Sequence, residues 1–216
     1  MTATDDTEIP ENRWELGKAR GDYHGYGTKF AELLDAGEDV DGEARFVDAL
    51  SERNARILDA GSGMGRVGAA LVARGHRVIG VEKDRDLIAQ SRQRFPSLAV
   101  VESDLLALTP ASFGPTGDFE PFDVVVMVGN VILFLAPDTE VRALSSLASL
   151  LAPQGRIVLG HHTHGGVGDR PPYSAEQSIA NATAAGLTVE HHFAGYQLGN
   201  PVPDADYALL VLRRTA

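Results

Sequence analysis

A glycine-rich turn between an apolar segment and a helical segment is the part of the sequence best suited to ligand chemistry. Residues 57–65, ILDAGSGMG, carry Asp59 and then glycines at positions 61, 63 and 65. Glycine permits a tight turn and, having no Cβ atom, lets a ligand approach the backbone. A second apolar segment, residues 77–81, ends at Glu82, whose carboxylate can accept hydrogen bonds from two ribose hydroxyls. This pattern predicts a nucleoside-binding βαβ unit.

Polar residues that could act on a substrate follow two later apolar segments. Asn130 comes directly after FDVVVMVG, where its amide could hold a substrate or simply tolerate an unusual turn conformation. His161 and His162 follow a strand-like segment, and an imidazole there could act as a general base for a hydroxyl nucleophile. Successive strand residues point to opposite faces, so these two histidines cannot serve one site. Unspecialised loop histidines are the alternative, and we predict no metal site.

Alternating apolar and amphipathic segments must position these residues. Segments with helical spacing lie between most of the first six apolar segments, and a Pro- and Gly-rich loop at residues 109–121 separates the third from the fourth. The last two apolar segments are joined by a short non-helical connection that permits an antiparallel pair. We therefore predict an α/β fold with a doubly wound, seven-stranded sheet, mostly parallel with an antiparallel last strand, and helices on both faces. The predicted strands are residues 57–58, 77–81, 98–101, 122–128, 156–160, 187–196 and 207–213.

Four local features complete this outline. Residues 14–27, WELGKARGDYHGYG, are predicted to form a loop or broken helix, and residues 29–34 a short helix. A helix is predicted to begin at a cap formed by Asp138, and Pro153, Gln154 and Gly155 are predicted to form a turn.

The first 40 residues differ from the rest of the chain because they lack a clear periodic pattern. Their aromatic residues lie between glycines, which suits a lid that closes over a site and excludes water. Surface packing of a loosely held segment is the alternative. We expect residues 1–40 to form an N-terminal segment and possible lid, and residues 41–216 to form the ligand-binding domain.

Composition limits the classes of partner. The chain has 30 acidic and 19 basic residues, for a net charge of −11. Nucleic-acid binding depends on basic patches that neutralise phosphates, so DNA and RNA are poor candidates. Without cysteine there is no disulfide framework, thiolate zinc site or cysteine nucleophile. No apolar run reaches the ~18 residues that span a bilayer, and the N-terminus lacks a signal-peptide pattern. We expect a cytoplasmic protein with no membrane partner, either monomer or homodimer.

Taken together, the motifs resemble those of the class I S-adenosylmethionine-dependent methyltransferases, from about Asp41 to Arg213. Residues 59–65 are similar to the family's acid-x-Gly-x-Gly-x-Gly turn, which wraps the methionine part of the cofactor. Glu82 is similar to the acid that holds the ribose. Residues 103–105 resemble the adenine site.

Two further motifs and the chain's ending extend the resemblance. Residues 122–130 are similar to the strand whose end faces the methyl group. Residues 151–156 nearly match the family's L-x-P-G-G turn, with Gln154 in place of the first glycine. The family's terminal antiparallel strand pair agrees with the predicted ending.

The resemblance implies a Rossmann-like fold, S-adenosylmethionine as cofactor and in-line methyl transfer to an O, N or C nucleophile of a small molecule. Orientation of the reactants can contribute ~7–11 kcal/mol, so a strongly reactive catalytic residue is not required. Candidate catalytic residues are Asn130, His161 and His162. The implied cofactor-binding residues are Tyr26, Asp59, Ala60, Gly61, Ser62, Gly63, Gly65, Glu82, Lys83, Ser103, Asp104, Leu105, Val128, Gly129 and Asn130.

Two other functions share part of this pattern. A nicotinamide-dependent oxidoreductase would share the glycine turn and the acid, but the glycine spacing is not G-x-G-x-x-G and no Tyr-x-x-x-Lys pair is present. A catalytically silent methyltransferase fold would bind the cofactor and serve as a binding or regulatory protein, and the intact motifs argue against it. The acceptor is unidentified, and its loops are predicted at residues 13–40, 109–121, 161–173 and 195–206.

Overall fold

A computed structural model of the chain describes residues 9–23, 25–114, 119–165 and 171–215. Residues 1–8 and 24 of the predicted N-terminal segment lie outside the described residues, as do parts of the predicted loops 109–121 and 161–173. The strands are β1 (Arg56–Ala60), β2 (Arg77–Glu82), β3 (Ala99–Glu102), β4 (Phe122–Met127), β5 (Leu151–His162), β6 (Leu187–Phe193) and β7 (Tyr207–Arg214).

The described strands form one sheet in the order β3-β2-β1-β4-β5-β7-β6. β1 to β5 pair in parallel wherever they are neighbours, and β7 is antiparallel to both β5 and β6. The connection between β6 and β7 contains no helix, so it joins the two strands as an antiparallel pair. This explains why β7 runs against its neighbours. The predicted seven-stranded, mostly parallel sheet with an antiparallel last strand is confirmed.

Helices cover both faces of this sheet. Alternate residues of β1 face opposite cores, with Ile57 in one cluster and Leu58 in the other. The predicted doubly wound arrangement is thus present. The α-helices of the described residues are α1 (Arg13–Arg20), α2 (Tyr26–Asp35), α3 (Gly42–Leu50), α4 (Arg66–Ala73), α5 (Arg85–Arg94), α6 (Val131–Phe134), α7 (Glu140–Ser149) and α8 (Ala175–Ala184).

The N-terminal segment is more regular than predicted. Where a loop or broken helix was expected, α1 forms a helix whose capping box joins Asn12 and Glu15, and Gly21 ends it in the left-handed conformation. The predicted short helix is also longer, because α2 already begins at Tyr26. Hydrophobic periodicity misses α1 because the caps, and not an apolar stripe, define this helix.

Three predicted boundaries are wrong. Asp138 does not cap α7, since its φ is +61° and Thr139 takes the N-cap position. Residues 153–155 lie within β5, where the pairing with β4 shifts register, so the predicted turn is an irregularity of a longer strand. β6 ends at Phe193, three residues earlier than predicted. Among the described residues, no helix is long and apolar enough to cross a membrane.

Candidate cofactor and acceptor site

A cavity of about 740 Å³ is lined by residues at the carboxyl ends of β1, β2 and β4 and by residues of α1 and α2. This edge is where open α/β sheets bind ligands, and the volume suits a small-molecule site. All the predicted cofactor-binding residues line the cavity except Ala60 and Gly65. The structure therefore brings together motifs that lie far apart in the chain.

The glycines of the predicted cofactor turn have different surroundings. Gly63 has a φ of +55°, and a Cβ atom added there would meet no atom within 4 Å, so its backbone is open to the cavity. A Cβ atom at Gly61 would lie 2.6 Å from the side chain of Val131. At Gly65 it would lie 2.4 Å from the hydroxyl of Ser91, so this glycine permits close packing against α5.

Glu82 is held by backbone amides at the end of β2. Its Oε2 accepts the N–H of Gly63 at 2.8 Å, and its Oε1 accepts those of Lys83 and Asp84 at 2.8 and 2.9 Å. Burial raises the pKa of Glu82, while these hydrogen bonds act in the opposite direction. Because Oε2 has one partner among the described residues, it keeps the capacity to accept a hydroxyl donor.

Asp59 is buried, with 3% of its surface exposed, and lines the same cavity. Its Oδ2 accepts the N–H of Gly68 in the first turn of α4 at 2.8 Å. Burial raises the pKa of Asp59 to about 7, although the hydrogen bond from Gly68 opposes that shift. A cationic group placed nearby would favour the ionised carboxylate. Asp59 thus stabilises a helix N-terminus and also faces ligand space.

The third predicted motif is tied to the N-terminal helix. Asp104 accepts the N–H of Leu106 at 2.8 Å and pairs with the Nζ of Lys83 at 2.8 Å. The same Lys83 Nζ lies 2.8 Å from the carboxylate of Glu15 in α1. Lys83 therefore links Asp104, in the predicted adenine site, to Glu15 in helix α1.

The cavity fits the cofactor that the resemblance implies. Ser62 lines the cavity, and its Oγ is a buried polar atom that has no hydrogen-bond partner among the described residues. Neither Gly63 nor Gly129 has an atom within 4 Å of an added Cβ position, which leaves room for a ligand along two backbone segments. The carboxylates of Asp59 and Glu82 suit a cation, since opposite charges attract strongly where water is scarce.

Asn130 joins the ends of β4 and β5. It has a φ of +71°, and its Oδ1 accepts the backbone N–H of His162 at 2.8 Å. This contact leaves the Nδ2 hydrogens of Asn130 without a hydrogen bond to the described residues. The residue is thus both the turn residue and the polar cavity residue that the sequence left as alternatives.

The two candidate histidines are separated by the sheet, as strand alternation predicts. His162 lines the cavity, and its ring packs edge to face against Tyr207 with centroids 5.0 Å apart. His161 is fully buried and packs against Tyr173 at 5.1 Å, away from the cavity. Of the two, only His162 is placed to contact a ligand in this cavity. Across the described residues, no group of three metal-ligating side chains converges.

A pair of tyrosines that sequence reasoning missed lines the cavity beside Asn130. The hydroxyl oxygens of Tyr196 and Tyr207 lie 2.8 Å apart. Gly160 admits them, because a Cβ atom there would lie 2.7 Å from each oxygen. Burial raises the pKa of both phenols, that of Tyr207 to about 12, so both stay neutral at physiological pH. A glycine inside a strand of branched residues was the available signal, since it indicates close approach.

A partly buried ion pair lines another part of the cavity. Arg66 donates to the two carboxylate oxygens of Glu43 at 2.9 and 2.6 Å. Its guanidinium also lies 4.8 Å from the ring centroid of Phe30 in α2. Arg66 is thus held in an ion pair on the cavity lining.

Comparisons with known proteins agree with this geometry. Residues 57–155 match a family model described as a methyltransferase domain. The crystal structure of a TehB-like SAM-dependent methyltransferase from Corynebacterium glutamicum is 32% identical, with a TM-score of 0.78, over 91% of this chain and 100% of that chain. The CcbJ methyltransferase from Streptomyces caelestis is 18% identical, with a TM-score of 0.69, over 82% and 90% of the two chains, and shares the fold.

A curated relative gives a shorter match. The ribosomal RNA small subunit methyltransferase A of Koribacter versatilis is 31% identical over 115 residues. That match covers 48% of this chain and 40% of the relative, so the chain spans well under half of that relative's length. The similarity to this relative therefore concerns the 115 aligned residues.

Proposed function

The chain belongs to the class I S-adenosylmethionine-dependent methyltransferases, and from this we propose that it methylates a small molecule at an O, N or C nucleophile. The observation that carries the proposal is one cavity of about 740 Å³ that combines the predicted cofactor residues with the polar wall of Asn130, His162, Tyr196 and Tyr207. Donor and acceptor can therefore occupy adjoining parts of one space.

The residues of the cavity divide into two groups with different proposed roles. When bound, S-adenosylmethionine supplies an electrophilic methyl group attached to a positively charged sulfur. Glu82 accepts the ribose hydroxyls, and Asp104 with the backbone of Leu105 contacts the adenine. Asp59 and the backbone of Gly63 hold the methionine part, where negative charge suits the cation. These assignments follow the family motifs and the hydrogen-bonding capacity described above.

The acceptor side works by position. The Nδ2 hydrogens of Asn130 and the neutral phenol pair offer hydrogen bonds that orient a nucleophile toward the methyl group. Orientation of this kind can contribute ~7–11 kcal/mol to the rate. Because the pKa of Tyr207 is raised to about 12, the phenols do not act as bases at neutral pH. On the acceptor side, the imidazole of His162 lines the cavity and can accept a proton from the acceptor or pass it to solvent.

The charge of the cavity supports a small molecule over RNA. Acidic residues outnumber basic ones in its lining, and Arg66 and Lys83 are already paired with carboxylates. RNA methylation requires the phosphates near the target to be neutralised, and the net charge of −11 opposes that. The charged lining residues are Asp22, Glu43, Asp59, Glu82 and Asp104, against Lys29, Arg66 and Lys83.

Methyl-labelled S-adenosylmethionine tests the proposal directly. The protein is incubated with a panel of small O, N and C nucleophiles and, separately, with small ribosomal subunits and their naked RNA. We expect label in a small molecule and none in RNA, because acidic residues outnumber basic ones in the cavity lining and the chain carries a net charge of −11. Calorimetry with S-adenosylhomocysteine and with NADH accompanies the assay, and we expect only the former to bind.

Each other outcome has a defined meaning. Label in RNA would contradict the small-molecule proposal and favour the activity named for the Koribacter relative. Binding of S-adenosylhomocysteine without transfer to any acceptor would favour the catalytically silent alternative. Binding of NADH in its place would favour an oxidoreductase.

A further inference from the structure

The turn that follows β2 has one side toward the cavity and another toward helix α1. On the cavity side lies the carboxylate of Glu82. On the other side, Asp84 accepts a hydrogen bond from the indole Nε1 of Trp14 at 2.7 Å. Asp84 also accepts from the Nζ of Lys18 at 2.9 and 2.7 Å. One short turn therefore contacts both the predicted ribose site and the N-terminal helix.

A single peptide group connects the two sides. The backbone N–H of Asp84 donates to the Oε1 of Glu82 at 2.9 Å. The Asp84 side chain is buried and also caps α5 by accepting the N–H groups of Asp86 and Leu87. Burial opposes ionisation of Asp84, but the hydrogen bonds from Lys18 and Trp14 outweigh it and lower its pKa.

Trp14, whose indole donates to Asp84, belongs to a cluster of aromatic residues that line the cavity. The Trp14 ring stacks on Tyr23 with centroids 4.8 Å apart and meets the edge of Phe134 at 5.3 Å. Tyr26 packs edge to face against the same indole at 5.0 Å. All four aromatic residues line the cavity, so the indole that Asp84 holds is part of an aromatic wall of the cavity.

A second contact joins the glycine turn to the N-terminal helices. Arg66 is the first residue after the glycine turn, and it pairs with Glu43 while its guanidinium contacts Phe30 of α2. These two contacts with the N-terminal helices are made by residues that closely follow a predicted cofactor motif: Arg66 comes after Gly65, and Asp84 comes two residues after Glu82.

We propose that Asp84 is a positioning residue that latches helix α1 over the cavity and couples the latch to cofactor binding. The proposal rests on the proposed function in one respect, that the cofactor lies against Glu82. A ligand that orders the Glu82 carboxylate also orders Asp84, because one amide joins them. The docked helix in turn slows ligand release, and this coupling acts equally in both directions.

Trp14 is the single tryptophan of the chain, so its fluorescence reports the latch. The test variant is Asp84→Asn, which removes the charge but can still cap α5. Asp86→Asn is the matched control, since Asp86 lies 2.7 Å from the same Lys18 Nζ and its side chain is 78% exposed. Acrylamide quenching of Trp14 is measured with and without S-adenosylhomocysteine, and its dissociation constant is measured by calorimetry.

In Asp84→Asn we expect stronger quenching without ligand and partial protection when S-adenosylhomocysteine is added. The dissociation constant should rise about tenfold, mainly through faster release, because a charge-assisted contact is lost. Asp86→Asn should stay within about twofold of the wild type in both measurements, as expected for an exposed ion pair.

Equal quenching and equal affinity in Asp84→Asn and the wild type would overturn the latch. If circular dichroism shows that Asp84→Asn does not fold, Lys18→Met decides by the same two measurements, because it removes the ion pair between Lys18 and Asp84 by changing a side chain that is 46% exposed. Failure of the wild type to bind S-adenosylhomocysteine would sink the proposed function. In that case, the difference in Trp14 quenching between the ligand-free wild type and ligand-free Asp84→Asn would still test whether Asp84 holds helix α1.

Discussion

The carboxylate of Glu82 accepts the backbone N–H of Gly63 at 2.8 Å, so the acid at the end of β2 holds the glycine turn that follows β1. The amides of Lys83 and Asp84 occupy the other carboxylate oxygen. One side chain thus organises two of the predicted cofactor motifs before any ligand binds. Preorganisation of this kind lowers the cost of ordering the site on binding.

Replacing Glu82 with glutamine tests that role. Glu82→Gln should weaken S-adenosylhomocysteine binding by ~1.5–3 kcal/mol in calorimetry, because a charged hydrogen-bond acceptor is lost. The control is Glu102→Gln, since Glu102 pairs in register with Glu82 on the neighbouring strand but is exposed and bound to Arg85. Unchanged affinity in Glu82→Gln would contradict the ribose assignment.

Gly63→Ala should separate backbone strain from loss of ligand space. The left-handed conformation of Gly63 costs an L-residue about 1–2 kcal/mol, and Gly37 has a similar φ of +73° with open space around it. Both Gly63→Ala and Gly37→Ala should therefore lose similar stability in urea unfolding. Only Gly63→Ala should also lose affinity for S-adenosylhomocysteine in calorimetry, and equal affinity in the two variants would place the ligand elsewhere.

The buried carboxyl of Asp59 predicts a pH dependence of stability. Its pKa rises from 3.8 to about 7 on folding, so its neutral form stabilises the fold at low pH and that contribution is lost as the pH rises to about 7. Relative to Asp59→Asn, the wild-type free energy of unfolding should fall by about 4 kcal/mol across this window. Urea unfolding from about pH 4 to pH 8 measures the difference. Parallel curves for the two proteins would contradict the shift.

Gly160→Ala should destabilise the protein through the tyrosine pair. The added Cβ atom would lie 2.7 Å from the hydroxyl oxygens of Tyr196 and Tyr207, and overpacking of this kind costs about 1–3 kcal/mol. In a background carrying both Tyr196→Phe and Tyr207→Phe, the same substitution should cost less. A double-mutant cycle from urea unfolding measures the coupling, and strict additivity would show that the hydroxyls are not the obstacle.

His161 and His162 show which part of the candidate site can be predicted from the sequence and which part cannot. Strand alternation shows from the sequence that only one of them can face a given site. Which one does so depends on the phase of β5 against its neighbours, and the structure assigns the cavity to His162. The irregular pairing of β4 with β5 makes that phase hard to derive from local pattern.

Local patterns in the sequence were sufficient to predict the sheet, its antiparallel ending and the edge at which the cavity lies. These features depend on local periodicity and on residues at strand ends, and the carboxyl ends of parallel strands meet at one edge. Glycine spacing and the position of Glu82 needed no knowledge of distant contacts.

The polar wall formed by Tyr196 and Tyr207 and the aromatic wall around Trp14 could not be predicted from local patterns, because both depend on tertiary contacts. The contact of Tyr196 with Tyr207 over Gly160, and that of Trp14 with Asp84, join segments that no periodic pattern relates. Such contacts form because packed helices and strands bring remote side chains within hydrogen-bond distance, and a one-dimensional pattern carries no record of that distance.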